Sequence, residues 1–134
     1  MSIPQYRAAG DITVSTFVKP TTTADNTVEL AGAAAIPCGI AQNAGRLHPS
    51  SDFSQANISL AAKVGEELNV HQPGESCDLL VDTTWAAGDF LIPAASGGGK
   101  PASGGSWAGA RALTAGVAGS LCLVQVLPPT WVPA

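Results

Sequence analysis

Charged and aromatic residues are scarce in this chain of 134 residues. Lysine and arginine number six and stand singly, while aspartate and glutamate number ten, which gives a net charge of −4. Nucleic-acid binding requires clustered basic side chains that replace the counterions of the phosphates, and the sequence has no such cluster. The few aromatic residues do not alternate with basic ones, as a stacking platform for bases would require. We therefore expect no nucleic-acid partner.

Cysteine and histidine are too few and too widely spaced for a disulfide scaffold or a metal site. The three cysteines, Cys38, Cys77 and Cys122, form no CxxC pair, and their number is odd. The two histidines, His48 and His71, lack the HxH or HExxH spacing of zinc ligands. Long apolar runs are missing, and the first ten residues have no signal-peptide pattern. These absences predict no metal, no membrane partner, and folding in the cytoplasm.

Signatures of catalysis are missing as well. Residues 48–52 (H-P-S-S-D) contain the residue types of a hydrolase triad, but the GxSxG turn is absent, and residues crowded into one loop cannot converge on a substrate. Residues 96–101 (S-G-G-G-K-P) approach a phosphate-binding loop, but Pro101 stands where that motif requires serine or threonine. No D-x-D-x-D-G loop for calcium is present. The sequence therefore predicts neither an enzyme nor a cofactor.

Turn-forming residues and short alternating segments are abundant instead. The chain contains 15 glycines and 10 prolines, and these separate segments rich in β-branched or apolar residues. Strands are predicted at residues 11–18, 27–30, 36–42, 58–62, 67–71, 78–81, 89–93, 107–114 and 120–127. A hairpin is expected between the first two. This pattern predicts an all-β fold, a single small β-barrel or β-sandwich domain.

The ends of the chain differ from its middle. Residues 1–10 are predicted to form an extended N-terminal arm, because Pro4 removes a backbone donor and the segment lacks alternation. Residues 11–127 are expected to form the barrel or sandwich domain. Residues 128–134 are proline-rich and are predicted to form an extended C-terminal tail that presents Trp131.

Two internal stretches lack strand patterning. Residues 43–57 are polar and aperiodic, and a long loop of this kind in a compact domain is usually functional. Residues 96–106 are rich in glycine and serine and have almost no capacity to bury area, which predicts a mobile loop tip.

Large side chains for a core are few. Trp85 and Trp107 are predicted to cap the core, because their rings supply buried area that alanine cannot. Cys38 and Cys122 have apolar neighbours and are predicted to be buried, whereas the polar neighbours of Cys77 favour burial less. Small residues bury little area each, so the core is thin and a partner subunit is expected.

Short turn and strand motifs follow one another in a recognisable order along nearly the whole chain. They are Gly10-Asp11-Ile12, Phe17-Val18, Asp25-Asn26-Thr27-Val28, Pro37-x-Gly39-Ile40-Ala41-Gln42, Gly65-Glu66-Glu67-Leu68, Gly74-Glu75, Ala87-Gly88-Asp89-Phe90-Leu91 and Leu123-Val124-Gln125-Val126. In this order they resemble the small decoration (cement) proteins of tailed-bacteriophage capsids. The chain departs from that family's usual pattern in its serine-rich loop at 47–57 and in its tryptophan-bearing tail.

The resemblance implies an all-β structural protein of the virion. Such a protein would bind the major capsid protein on the outside of the head, as a homotrimer, and would stabilise the shell. It would be made in the cytoplasm of a bacterial host and then lie on the capsid exterior.

Five residues are candidates for contacts with the capsid or between subunits. Tyr6 and Arg7 belong to the predicted arm, and Arg46 and Phe53 lie in or beside the polar loop. Trp131 is included because an apolar ring on a proline-bounded tail has little core to reach, and interfaces are enriched in such rings.

Two other classes of function stay open. A carbohydrate- or receptor-binding β domain displayed on a surface would use Trp85 or Trp107 as a stacking face. A small β-barrel enzyme would depend on His48 and His71.

Overall fold

The computed structural model describes residues 5–13, 15–21, 27–33, 35–41, 60–62 and 67–133. Every regular element in these ranges is a β-strand. The strands are β1 (Gln5–Ala8), β2 (Ile12–Thr13), β3 (Phe17–Pro20), β4 (Thr27–Leu30), β5 (Gly39–Ala41), β6 (Leu60–Ala62), β7 (Glu67–His71), β8 (Ser76–Leu80), β9 (Phe90–Pro93), β10 (Gly99–Pro101), β11 (Ser106–Ala112) and β12 (Leu121–Val132).

Five strands close into a barrel in the order β1-β4-β3-β5-β7, and β7 returns to β1. β1 and β4 are parallel, with Arg7 opposite Thr27, whereas the other neighbours in the barrel are antiparallel. The predicted hairpin is confirmed for β3 and β4. Across it, the Lys19 ammonium lies 3.5 Å from the Glu29 carboxylate.

The remaining strands form an antiparallel sheet of five strands, in the order β10-β9-β11-β12-β8, and a two-stranded pair of β2 with β6. Most neighbours in the five-stranded sheet are consecutive or nearly consecutive in the chain, as expected for short connections. The prediction of an all-β fold is confirmed, and of the two architectures left open, a barrel or a sandwich, the structure shows a small barrel packed against a sheet.

The barrel and the five-stranded sheet share a core, because two barrel strands are buried on both faces. Neighbouring residues of a strand point to opposite faces. In β3, Phe17 packs into the core shared with the sheet, and Val18 packs into the barrel interior. In β5, Ile40 and Ala41 divide in the same way. The barrel is therefore packed against the sheet through apolar side chains on its outer surface.

The predicted strand over residues 11–18 is interrupted by a turn. β2 ends at Thr13 and β3 begins at Phe17. The buried residue Ser15 between them has a φ of 56°, in the left-handed region that leads the chain out of a strand. The Thr16 hydroxyl donates a hydrogen bond of 2.8 Å to the carbonyl oxygen of Thr13. The single-strand prediction is wrong because β-branched composition favours a strand at each residue and does not reveal this turn.

The glycine-rich stretch at 96–106 contributes to the core, contrary to the prediction of a loop tip that buries nothing. Gly99 and the two glycines before it are buried, and Gly99–Pro101 is the strand β10 at the edge of the sheet. A Cβ atom at Gly99 would lie 2.5 Å from Leu79 Cδ2 and 3.0 Å from Trp85 Cζ3. The prediction is wrong because a backbone without side chains can approach a core closely.

Residues at both predicted ends lie in strands. Of the segment 1–10, Gln5–Ala8 form β1 of the barrel. β12 continues through the segment expected as a tail, and its Val132 lies opposite Ser106 of β11.

The three cysteines differ from expectation in their burial. Cys77 is buried, whereas Cys38 and Cys122 are only partly buried. In β8, Cys77 points inward between Ser76 and Asp78, which are exposed. Polar sequence neighbours are thus compatible with burial in a strand, because they occupy the opposite face. Trp85 is buried, as predicted.

Candidate interaction surfaces

The residues predicted as contacts do not come together in one site. Tyr6 and Arg7 lie on β1 of the barrel, and Trp131 lies on β12 of the five-stranded sheet. Tyr6 packs against the core of the barrel, whereas Arg7 is exposed. Arg46 and Phe53 lie outside the described residues. Of the two candidates on β1, Arg7 is therefore the one that faces solvent.

The backbone of β1 is already paired on both sides. Arg7 and Ala8 lie opposite residues of β4, and the segment Gln5–Arg7 lies opposite β7. A strand adds to the edge of another sheet only through unpaired backbone groups. β1 therefore presents no open edge to a neighbouring protein.

Four large apolar residues are exposed on the side of the five-stranded sheet that faces away from the barrel. They are Phe90 on β9, Leu113 at the end of β11, and Leu121 and Leu123 on β12, each 42–44% exposed. Their inward-facing neighbours, such as Val124, are buried in the core. We call this side of β9, β11, β12 and β8 the outer sheet face.

Two charged side chains border the leucines of the outer sheet face. Arg111 on β11 and Asp78 on β8 are both exposed. In the register of the sheet, Arg111 lies opposite Gln125, and Asp78 lies opposite Leu123, so that β12 runs between the two charges. The Arg111 guanidinium carbon lies 5.8 Å from the centre of the Phe90 ring, a cation–π contact. The face is thus apolar along β12, basic on one side and acidic on the other.

A second candidate surface, formed by two tryptophans, lies at the far end of the same sheet. Trp107 on β11 lies directly opposite Trp131 on β12, and the ring centres are 5.3 Å apart with planes inclined by 62°. This edge-to-face arrangement is favourable for aromatic pairs. Trp107 is half-buried, whereas Trp131 is 49% exposed. The prediction that Trp131 presents an apolar ring at the surface therefore agrees with its position, although it does so from a paired strand.

A small open cavity of about 200 Å³ lies where the β2–β3 turn meets β7 and β8. Its lining residues are Ser15, His71, Ser76, Cys77 and Asp78. Pockets for small organic ligands are usually larger, about 300–1,000 Å³, and mostly apolar. Its size therefore does not favour a ligand-binding role.

The reactivity of the cavity depends on the protonation state of the Cys77 thiol. Burial raises the pKa of Cys77 to about 12, and the nearby carboxylates of Asp78 and Glu75 contribute to the rise. A cysteine acts as a nucleophile or metal ligand only as the thiolate. The Glu75 carboxylate lies 3.7 Å from His71 Nδ1. Cys77 is therefore a neutral thiol at physiological pH, which does not suit it to covalent catalysis.

The described residues contain neither a group of metal ligands nor a membrane-spanning helix. Within the described ranges, no three histidine, cysteine, aspartate or glutamate side chains are grouped closely enough to hold a metal ion. No helix among the described residues is long and apolar enough to cross a membrane.

The outer sheet face was not predicted, although the sequence contains a signal for it. Residues 120–127 (S-L-C-L-V-Q-V-L) are predicted as a strand, and β12 confirms this. A strand with one face in water normally alternates apolar and polar residues. Here leucines occupy both Leu121 and Leu123, on the face opposite the buried Val124. The lack of alternation therefore indicated a second apolar face.

The described chain is an all-β domain in which a closed five-stranded barrel packs on a five-stranded antiparallel sheet. No protein-family model matches its sequence, and no curated protein sequence matches it either. Among solved structures it is similar to the N base of head fiber gp8.5 in bacteriophage phi29, with a TM-score of 0.58 and 14% sequence identity. The likeness covers 96% of this chain and 96% of the other. At this level of identity, it establishes a shared fold.

Proposed function

We propose that this chain is a structural, non-enzymatic protein of a tailed-phage head. It binds the major capsid protein on the outside of the shell, as a homotrimer, and stabilises the shell. The observation that carries the proposal is the likeness of fold to a phage head fiber base over 96% of both chains. The order of sequence motifs that resembles capsid decoration proteins points to the same location independently.

The surface of the described chain supports a role in protein assembly. Exposed apolar residues lie on the outer sheet face and at Trp131, whereas the cavity beside Cys77 is small and lacks a reactive thiolate. Large contiguous patches of exposed apolar surface are uncommon on monomeric proteins and mark interaction sites. A head protein requires surfaces that complement its neighbours and does not require a pocket.

The proposed mechanism is multivalent attachment. A trimer near a threefold axis of the head would contact several capsid subunits at once. Linked contacts raise the effective concentration of each further contact, so that avidity exceeds the affinity of a single site by about 10²–10⁴. A weak contact from each copy is therefore sufficient to hold the trimer on the shell.

We propose Trp131 as the principal contact with the capsid, supported by Trp107. The exposed ring is held by its edge-to-face partner and by strand pairing, so that little side-chain freedom is lost on binding. Exposed aromatic side chains of this kind are frequent among residues that dominate binding energies. Arg7, which is exposed on the barrel, is a second candidate, and Arg46 and Phe53 stay predictions.

The test is sedimentation of the purified protein with expanded phage heads that lack it. Wild-type protein is expected to pellet with the heads in a saturable manner, and Trp131→Ala is expected to weaken binding about 30-fold, corresponding to the loss of about 2 kcal/mol typical of an anchor residue. Ile36→Ala is the matched control, because Ile36 is also 49% exposed but lies outside the sheet. If wild-type protein does not pellet with heads, the proposal is wrong.

The tryptophan pair also favours the alternative of carbohydrate binding, because an exposed indole ring can stack on a sugar. A glycan array distinguishes the two functions. A selective signal that is lost in Trp131→Ala, from a protein that does not bind heads, would replace our proposal with the alternative. A protein that binds heads and gives no selective glycan signal supports attachment to the shell.

A further inference from the structure

We propose that the outer sheet face is the contact between copies of this chain, and that Arg111 of one copy pairs with Asp78 of the next around a threefold axis. The inference rests on the homotrimer in the proposed function and specifies which surface forms it.

The apolar part of the face is continuous across three strands. Leu121 lies opposite Leu80 of β8 in the register of the sheet. The backbone amide of Leu113 donates to the carbonyl oxygen of Leu123 at 3.1 Å, which brings these two residues side by side on β11 and β12. Side chains opposite each other in antiparallel strands are about 5 Å apart, and those two positions along a strand are about 7 Å apart. The leucines therefore form one patch.

The leucine patch is not part of the folded core. The inward-facing residues of the same strands, among them Leu79, Leu91 and Val124, are fully buried in the core shared with the barrel. The outward-facing Leu113, Leu121 and Leu123 remain more than two-fifths exposed. In a chain with little large apolar side-chain area, such residues on the solvent side indicate a second protein surface that covers them.

The charges indicate that the covering surface is another copy of this chain. Arg111 and Asp78 lie on opposite sides of β12 and are offset by two residues along it, which places their backbones about 12 Å apart. Within the described ranges, neither forms an ion pair. The face thus has a basic border and an acidic border of equal and opposite charge, so that it complements itself without any further partner.

A threefold arrangement satisfies both borders of every copy. Each copy uses its Arg111 border to contact the Asp78 border of the next, and the ring closes after three copies. The leucines of β12, which lie between the borders, then face the axis and are buried together. The edge-to-face pair of Trp107 and Trp131 lies at the other end of β12, where it stays available for the capsid.

The first measurement is the mass of the free protein by sedimentation velocity over a range of concentrations. Wild-type protein is expected at three times the chain mass of 13.4 kDa. Arg111→Asp and Asp78→Arg should each shift dissociation to monomers by about tenfold or more in concentration, because like charges then meet at every contact. The double variant R111D/D78R should recover the trimer.

Two controls separate this effect from loss of folding or of net charge. Lys19→Glu reverses a charge on the barrel, away from the face, and should leave the mass unchanged. Leu123→Glu should give monomers, whereas Ile36→Glu, which alters a similarly exposed apolar residue elsewhere, should not. Far-UV circular dichroism should show strand content equal to wild type in each variant.

Mixing the two single variants tests the symmetry. In a closed ring of three, a mixture satisfies two contacts and leaves one between identical chains, where like charges meet, so that mixing restores the trimer only in part. In a twofold dimer, mixing would satisfy both contacts. A stable mixed dimer would therefore overturn the threefold arrangement.

The outcomes separate this inference from the proposed function. A trimeric wild type whose Arg111, Asp78 and Leu123 variants stay trimeric overturns the assignment of the face but leaves the proposed function intact. A wild type that stays monomeric at all concentrations overturns the assignment and the preformed homotrimer together. Sedimentation with heads tests capsid attachment separately.

Discussion

Gly99→Ala tests the packing that most distinguishes the structure from the sequence-based expectation. If residues 96–106 were a mobile loop tip, adding a methyl group would have little effect. In the structure, the new Cβ atom would lie 2.5 Å from Leu79 Cδ2 and 3.0 Å from Trp85 Cζ3. The φ of Gly99 does not lie in the left-handed region, so alanine is compatible with the backbone there. The substitution therefore tests steric fit without backbone strain in the folded state.

The magnitude follows from the two side chains that would have to move. Leu79 and Trp85 are buried core residues, and overpacking a core of this kind costs about 1–3 kcal/mol. Leu79→Ala alone should cost about 2–5 kcal/mol, because it removes buried methyl groups and leaves a cavity. In the double variant, the methyl group of residue 99 occupies part of that cavity. The double variant should therefore lose less stability than the sum of the single variants, by about 0.5–3 kcal/mol.

Urea unfolding followed by far-UV circular dichroism measures these free energies. Gly10→Ala is the matched control, because a Cβ atom at Gly10 would meet nothing within 4 Å, and its effect should stay within about 0.5 kcal/mol. A Gly99→Ala protein as stable as wild type would refute the packing argument. Strict additivity of Gly99→Ala and Leu79→Ala would show that the two positions do not touch.

Two further predictions concern the sheet. Burial raises the pKa of Cys77 from 9.0 to about 12, so the folded state favours the neutral thiol. The free energy of unfolding of wild type, relative to that of Cys77→Ala, should therefore be constant below pH 9 and should decrease as the pH rises toward 12. Urea titrations of both proteins across this range measure the difference, and a constant difference would contradict it. The ring contact of Trp107 with Trp131 should give a coupling of about 0.5–1.5 kcal/mol in a double-mutant cycle with alanine. A coupling of zero would show that the rings do not stabilise this end of the sheet.

Strands were predictable where one periodicity and clear turn residues coincide. Residues 67–71 were predicted as a strand, and β7 has the same bounds. The hairpin of β3 and β4 was predictable because the alternating segments are close in the chain. These are local features, and local sequence determines them.

The pairing of distant strands was not predictable from local pattern. The closure of the barrel depends on β1, which lies parallel to β4 and antiparallel to β7. A lone tetrapeptide such as Gln5–Ala8 has too few residues for its periodicity to identify a partner. It becomes a strand because its backbone is paired on both sides, which is a tertiary effect.

The candidate surfaces, like the pairing of distant strands, were only partly predictable from local sequence. The exposure of the Trp131 ring was predictable because a large ring in a proline-rich segment is unusual by itself. The outer sheet face was not predictable because its residues, among them Leu121, Leu123, Arg111 and Asp78, are individually ordinary. Only strand order and register show that they lie on one face. A single unusual residue can thus be recognised in the sequence, whereas a surface made of ordinary residues is recognisable only once the strand order is known.

The distribution of large apolar residues connects the fold to assembly. At glycines such as Gly99 and Gly116 the backbone packs closely against core side chains; a Cβ atom added at Gly116 would lie 2.5 Å from the Trp85 ring. The core can therefore be built from few large side chains. The core therefore does not include Phe90 or the exposed leucines of β12. A soluble monomer under no other constraint gains nothing from exposing such residues, since charged or polar side chains would occupy those positions at lower risk of aggregation. Their placement on one face, between charges of opposite sign, is accounted for when that face is buried between copies of the chain.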